Sequence, residues 1–106
     1  MGSVMTREDI INRISKARTN ANLSARALSQ NAGLNDGYIN RLESKKDFLP
    51  SMESFIDIVE ACGITLEEFF YYDMSAYKQD KEIIDLLKHV NSESKDSIIK
   101  LLKNTK

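Results

Sequence analysis

The sequence predicts an all-α fold, in which a set of short helices is followed by two more helices near the carboxyl end. Apolar residues recur three and four positions apart, which is helical spacing and not the alternation of strands. Residues that favour helix starts precede several of these stretches, and the one proline, Pro50, lies between two of them. The 106 residues suffice for one small domain with an extension.

The first predicted helix begins at Thr6, where Asp9 takes the Glu position of a variant capping box. Its apolar stripe consists of Ile10, Ile14 and Ala17, with Ile11 beside it. The helix is expected to end near residues 19–20, and Leu23 then packs before the next element. Residues 1–5, with two methionines and a Gly-Ser pair, are interpreted as a cloning remnant or a disordered start and excluded from fold reasoning.

The stretch from Ser24 to Glu43 organises the rest of the chain. Ser24 is a good N-cap for a helix that runs to Ala32. Gly33 follows, where a helix commonly ends in a left-handed residue that glycine adopts without steric cost. Asn35 is a second N-cap, so a second helix is predicted over residues 36–44.

The spacing of small and apolar residues in this stretch predicts a helix-turn-helix. A small residue at Ser29 is needed because the second helix crosses the first closely there, and a larger side chain would overpack the crossing. An ordinary helical hairpin is the alternative. The residues that fit the motif are Leu28, Ser29, Gly33, Leu34, Ile39 and Leu42.

LSARALSQNAGLNDGYINRLES resembles the helix-turn-helix of phage repressors and Cro, the xenobiotic-response-element family. The likeness is carried by Leu23, Leu28, Ala32-Gly33-Leu34, Tyr38-Ile39 and Arg41-Leu42-Glu43. This resemblance implies a five-helix, lambda-repressor-like domain over about residues 6–70. It also implies a regulator that binds double-stranded DNA and places its second motif helix in the major groove.

Two more helices complete the predicted domain, which extends over residues 6–72. Pro50 cannot continue a helix, Ser51 caps the next one, and Gly63 ends it after Cys62. Thr65 then caps a short fifth helix over residues 66–70. The aromatic cluster at 69–72 fits either base stacking or core, and core is favoured because the cluster lies in the acidic half. The expected core residues are Phe55, Ile56, Val59, Leu66 and Phe70.

A helical extension over residues 80–106 is predicted beyond a connector at 73–79. Its two amphipathic helices, about 80–90 and 92–103, are too short to be stable alone, so their apolar stripes must be buried. They pack either on the domain of the same chain or on a second copy, and a homodimer interface is favoured. The candidate dimerisation residues are Ile83, Ile84, Leu87, Val90, Ile98, Ile99 and Leu102.

The charge is distributed unevenly along the chain. Residues 1–46 hold eight basic and four acidic side chains, whereas residues 47–106 hold seven lysines and twelve acidic residues. The net charge of −1 therefore combines a positive first part with a negative second part. A positive surface of this kind can follow DNA phosphates, although chance alone could also produce the asymmetry.

The resemblance assigns contacts to DNA residue by residue. Arg41 can take both acceptors of guanine, although it could instead pair with Glu43 or a phosphate. Asp36 and Gly37 depart from the family pattern, which places weight on Asn40 and Arg41. The expected base contacts are Asn40, Arg41, Asp36 and Tyr38. The expected backbone contacts are Ser24, Arg26, Asn35, Lys45 and Lys46.

The favoured hypothesis is a cytoplasmic transcriptional repressor that binds an inverted repeat as a homodimer. The alternative is a protein-interaction module of the antitoxin or anti-repressor type. An enzyme is disfavoured, because the chain has one histidine, His89, one cysteine, Cys62, and no glycine-rich phosphate loop. No metal, cofactor or membrane segment is expected. The sequence identifies neither an operator nor an effector ligand.

Overall fold

The computed structural model describes residues 5–45 and 48–105, with only the backbone of Lys45. Its described residues form helices and no strand, which confirms the predicted all-α fold. The α-helices are α1 Arg7–Asn20, α2 Ala25–Asn31, α3 Tyr38–Lys45, α4 Met52–Ala61, α5 Leu66–Phe70, α6 Tyr77–Leu87 and α7 Ser92–Lys103. The chain divides into two compact units between Tyr71 and Tyr72.

Helix α1 begins with the predicted capping box. The Thr6 hydroxyl accepts from the Asp9 amide at 3.1 Å, and the Asp9 carboxylate accepts from the Thr6 amide at 2.9 Å. These hydrogen bonds with Thr6 hold the pKa of Asp9 below its usual range. The buried face of α1 carries Ile11, Ile14 and Ala17, while Ile10 is half-buried. Ile14 and Ala17 are therefore buried as predicted, and Ile11 takes the buried place that was predicted for Ile10.

Helices α2 and α3 form the predicted helix-turn-helix. Ser24 caps α2 by accepting a hydrogen bond from the Ala27 amide at 3.0 Å. Gly33 has a φ of +76°, the left-handed conformation expected at this position. The Leu34 amide then donates to the Ser29 carbonyl at 2.8 Å, which closes the end of α2. Leu28, Ile39 and Leu42 are fully buried between the elements, as the spacing predicts.

Ser29 joins the two motif helices through its hydroxyl group. The side chain is completely buried, donates to the Ala25 carbonyl at 2.8 Å and accepts from the Ile39 amide at 3.0 Å. The Ile39 amide belongs to the first turn of α3, where backbone N–H groups have no partner within the helix. Ser29 therefore caps α3 from the neighbouring helix.

The start of α3 differs from the prediction. The helix begins at Tyr38 and not at Asp36, and residues 36–37 form a turn in which the Asn35 carbonyl accepts from the Tyr38 amide. The N-cap role predicted for Asn35 is therefore wrong. Local sequence favoured Asn35, but the capping oxygen comes from Ser29, ten residues before the amide that it binds.

An ion pair fixes α3 against α1. Arg18 binds both carboxylate oxygens of Glu43, with Nε–Oε2 at 2.9 Å and Nη2–Oε1 at 3.1 Å. A third nitrogen of Arg18 donates to the Leu23 carbonyl at 3.0 Å. The two side chains are only 22 and 19 % exposed, so solvent screens this pair less than a surface pair. Arg18 thus ties together α1, the loop before α2, and α3.

The core of the first unit differs in detail from the predicted one. Phe55 and Val59 are buried and Ile56 is half-buried, but Leu66 and Phe70 are 42 and 47 % exposed. Their assignment to the core is wrong, because α5 is a five-residue helix that turns Phe69 inward. The buried side chain of α4 that the prediction left out of this core is Ile58, whereas Phe69 belongs to the aromatic cluster that was favoured as core.

The end of α5 is held by a side chain from α1. One Arg13 nitrogen, Nη1, donates to the Phe69 carbonyl at 2.7 Å and also to the Tyr71 carbonyl. Carbonyls in the last turn of a helix have no partner within it, so the guanidinium group supplies one. The rings of Phe55 and Phe69 meet edge to face with centroids 5.0 Å apart. The aromatic cluster thus contributes to the core, and Tyr72 is exposed.

The second unit contains α6 and α7. Residues 73–79, predicted as a connector, instead carry a short 3₁₀ helix, Met74–Ala76, and the first turn of α6. Helix α6 begins and ends three residues earlier than predicted, whereas α7 has the predicted bounds. Asp73 caps the 3₁₀ helix, since its carboxylate accepts from the Ser75 amide, and α6 follows this helix directly with Tyr77 buried.

We expect Ser29→Ala to lower the free energy of unfolding by about 1–3 kcal/mol, because it leaves the buried Ile39 amide without a partner. The matched control is Ser44→Ala, since Ser44 makes the same bond to a carbonyl four residues earlier but is exposed. Chemical denaturation measures both changes. Equal effects of the two substitutions would show that the contact to Ile39 does not stabilise α3.

We expect Glu43→Gln to cost about 1–3 kcal/mol of stability, because Arg18 loses a charged acceptor where solvent replaces it poorly. Glu53→Gln on α4 is the control, since Glu53 is exposed and should change stability by less than about 0.5 kcal/mol. Thermal unfolding at two salt concentrations compares them. A loss at Glu43 no larger than the loss at Glu53 would contradict the role of the ion pair.

Candidate nucleic-acid interface

Helix α3 presents one face to the core and another to solvent. Ile39 and Leu42 are three residues apart and fully buried, so they fix the rotation of the helix about its axis. Asn40, Arg41 and Ser44 are consequently exposed on the other side. These three residues therefore form an outward polar face of α3, and the contacts of Ser29 and Glu43 hold this helix in place.

The side chains of Arg41 and Tyr38 lie together on this outward face. The Arg41 guanidinium carbon is 5.9 Å from the centroid of the Tyr38 ring, within the range of a cation–π interaction. The ring of Tyr38 also meets Phe48 edge to face, with centroids 5.8 Å apart. The ring of Tyr38 therefore contacts both the Phe48 ring and the Arg41 guanidinium group.

The pairing of Arg41 with Glu43, an alternative that the sequence leaves open, does not occur. Both carboxylate oxygens of Glu43 are bound to Arg18. Among the described residues, no carboxylate forms an ion pair with Arg41. Its planar group of donors therefore remains available for a guanine edge or a phosphate.

Asn40 is exposed beside Arg41. Its backbone carbonyl accepts from the Ser44 hydroxyl at 2.7 Å, but its side chain has no hydrogen-bond partner within the described ranges. A carboxamide has both a donor and an acceptor, the combination that matches N7 and N6 of adenine. Asn40 and Arg41 thus offer two different donor and acceptor patterns at adjacent positions of one helix.

Asp36 lies in the turn before α3 and contacts two side chains of α2. Its Oδ2 atom is 3.2 Å from Nη2 of Arg26, and its Oδ1 atom accepts from Nε2 of Gln30 at 3.2 Å. Arg26 and Gln30 are one turn apart on α2, so they share a face. The predicted base contact Asp36 and the predicted backbone contact Arg26 are therefore brought together as an ion pair.

The remaining predicted backbone contacts are distributed around this surface. Ser24 and Asn35 are both exposed, and the Ser24 hydroxyl can still donate a hydrogen bond while it accepts one from Ala27. The predicted contacts of Lys46 and of the Lys45 side chain lie outside the described residues. Ser24 thus lies at the start of the first motif helix, and Asn35 lies in the turn before the second.

The segment from Phe48 to Tyr72 contrasts with this surface in its charge. It contains no lysine or arginine, and its acidic residues are Glu53, Asp57, Glu60, Glu67 and Glu68. Helices α4 and α5 are therefore negative elements in the same unit as the helix-turn-helix. A polyanion is expected to avoid these helices and to prefer the basic residues of α1–α3.

Sequence reasoning missed three residues that shape this surface. Gln30 was not singled out, although its position four residues after Arg26 places it on the same face of α2. Arg18 was assigned no role, because its pairing with Glu43 depends on tertiary structure. Phe48 follows the motif and supports Tyr38, a contact that local spacing does not reveal.

A metal site, a reactive cysteine and a membrane-spanning helix each make structural requirements of the described residues. In the part of the chain that the structure describes, no three His, Cys, Asp or Glu side chains are placed to hold a metal ion. Cys62 is buried, and burial raises the pKa of its thiol, which disfavours the reactive thiolate. None of the described helices combines the length and apolar character needed to cross a membrane.

Comparison with known protein families matches residues 11–71 to the family described as a helix-turn-helix domain. Neither a curated protein nor a solved structure matches the chain. The matched region runs from α1 through α5 and covers more than half of the sequence, including the Ser29 contact and the outward face of α3. The chain belongs to the helix-turn-helix domain family, in its Cro and xenobiotic-response-element type.

Proposed function

We propose that this chain is a transcriptional repressor that recognises a specific DNA sequence through α3. The observation that carries the proposal is the outward face of α3, where Asn40 and Arg41 are exposed on a helix anchored by buried contacts. In helix-turn-helix proteins the second helix lies in the major groove and the first crosses the backbone. Arg41 would then read guanine, and Asn40 would read adenine.

Phosphate contacts would hold this helix in place. The Ser24 hydroxyl and Asn35 are exposed beside the motif helices. Lys45 is the last residue of α3, and Lys46 follows it in the sequence. Contacts of this kind contribute affinity that decreases steeply with salt but little sequence information. Tyr38 would place its hydroxyl on a phosphate or its ring on a thymine methyl group, while its position beside Arg41 orients the guanidinium.

The proposed repressor acts as a homodimer in the cytoplasm. Support comes from α6 and α7, on which six large apolar side chains are about half exposed or more. These are Ile83, Ile84, Leu86, Ile99, Leu101 and Leu102. Three further dimerisation candidates, Leu87, Val90 and Ile98, are half-buried. A second copy would cover these faces, and its symmetry would place two half-sites about 34–36 Å apart on an inverted repeat.

A protein-interaction module of the antitoxin or anti-repressor type is the second candidate. The same exposed apolar side chains favour it, because large exposed apolar patches commonly mark interaction sites. The neutralisation of Arg26 by Asp36 also removes one cation from the motif surface. Salt distinguishes the two functions, since apolar contact persists at high salt whereas DNA binding weakens steeply.

Selection of bound sequences from a random duplex pool tests the proposal, with wild type and Arg41→Ala compared side by side. We expect an enriched inverted repeat. Arg41→Ala should lose about 1–3 kcal/mol on the best site and relax the preference at one base position. A loss of equal size on every sequence would make Arg41 a phosphate contact. No enrichment by the wild type would contradict sequence-specific binding.

Substitution of one exposed apolar residue tests the dimer. Leu102→Glu should convert the dimer to a monomer, because a carboxylate would be buried in the interface, while its exposure in the single chain protects the fold. Lys100→Glu introduces a carboxylate at an exposed position two residues before Leu102, on the opposite side of α7, and should leave the dimer intact. Light scattering after size exclusion gives the masses. A dimeric Leu102→Glu variant would contradict this interface.

A further inference from the structure

Three side chains on the motif surface form one connected group. The carboxylate of Asp36 binds Arg26 through one oxygen and Gln30 through the other, both at 3.2 Å. Arg26 and Gln30 project from the same face of α2, and Asp36 precedes α3. The group therefore links the helix expected to cross the DNA backbone with the turn that leads into the recognition helix.

The exposure of this group places it where it can respond to DNA. The Arg26 and Asp36 side chains are 72 and 57 % exposed, so neither is needed to fill the core. An exposed ion pair contributes little to stability. Its main consequence is electrostatic, because a cation on α2 is accompanied by an anion at the same surface.

We propose that Asp36 withholds Arg26 from the phosphate backbone and thereby lowers the affinity of this chain for DNA of arbitrary sequence. The inference rests on the proposed function, since it assumes that the α2–α3 surface faces a duplex. It revises the expected role of Arg26 from a simple phosphate contact to a contact controlled by its neighbour. Asp36 is accordingly a residue that determines specificity, because weaker non-specific binding raises the ratio of specific to non-specific affinity.

The competition between Asp36 and a phosphate explains this effect. Both are anions that accept from a guanidinium group, so Arg26 gains little when it exchanges one for the other. The exchange also leaves the Asp36 carboxylate unpaired near the negatively charged backbone, which is unfavourable. Gln30 adds to this balance, because its amide holds the carboxylate on the α2 side. Arg26 therefore contributes little net affinity while Asp36 remains charged.

A double-mutant cycle on a duplex of scrambled sequence tests the proposal without knowledge of the operator. The full chain, Asp36→Asn, Arg26→Ala and the double variant are titrated between 50 and 200 mM salt. Asp36→Asn should steepen the salt slope by about 0.9, the value of one added phosphate contact, which is about a threefold change over this range. Arg26→Ala should remove this added slope in the Asp36→Asn background and change the slope by less than about 0.2 in the wild type, where Arg26 makes no phosphate contact to lose.

Glu60→Gln is the matched control, because it removes one negative charge from an exposed position on α4. It should leave the Arg26→Ala effect at its wild-type size. Equal effects of Arg26→Ala with and without the Asp36 carboxylate would overturn the inference, and sequence-specific binding would stand. If neither the wild type nor Asp36→Asn bound DNA in a salt-dependent way, both the inference and the proposed function would be contradicted. Thermal unfolding of each variant verifies that the fold is retained.

Discussion

The hydrogen bond from the Ile39 amide to the Ser29 hydroxyl is the contact on which the motif depends. It satisfies a first-turn amide of α3 from the neighbouring helix, and it requires that the two helices approach within reach of one small side chain. Gly33 makes this approach feasible, since its left-handed conformation turns the chain between them. The buried pair Ile39 and Leu42 then sets the rotation of α3, and Arg18 fixes its far end through Glu43.

The outward face of α3 follows from these inward constraints. Because Ile39 and Leu42 face the core, the side chains of Asn40 and Arg41 must face solvent, and their donor and acceptor groups are those that can read base edges. Arg41 is not neutralised by Glu43, whose carboxylate is bound to Arg18. Arg26 is neutralised, through Asp36. Two arginines of one surface thus differ in the charge that they offer to a duplex.

The sequence predicted the elements whose signals are local. Thr6, Ser24, Ser51 and Thr65 each cap the helix that follows, as their positions predict. The start of α3 was mispredicted because its capping oxygen comes from Ser29, ten residues before the Ile39 amide that it binds. Phe69 and Phe70 show a related difficulty: in a five-residue helix, spacing alone does not decide which aromatic ring faces the core. The partners of Arg18 and Asp36 also depend on tertiary contacts, so their pairing could not be read from spacing.

Amide chemical shifts of the full ¹⁵N-labelled chain during titration with a selected duplex test the central claim most directly. The account predicts the largest changes at residues 24–26 and 35–44, which include the starts of α2 and α3, and small changes on the acidic helices α4 and α5. It also predicts that the Ile39 amide remains protected from exchange, because Ser29 holds it in the free protein. Changes concentrated on residues 52–70 or 77–103, with α3 unaffected, would contradict recognition of DNA through α3.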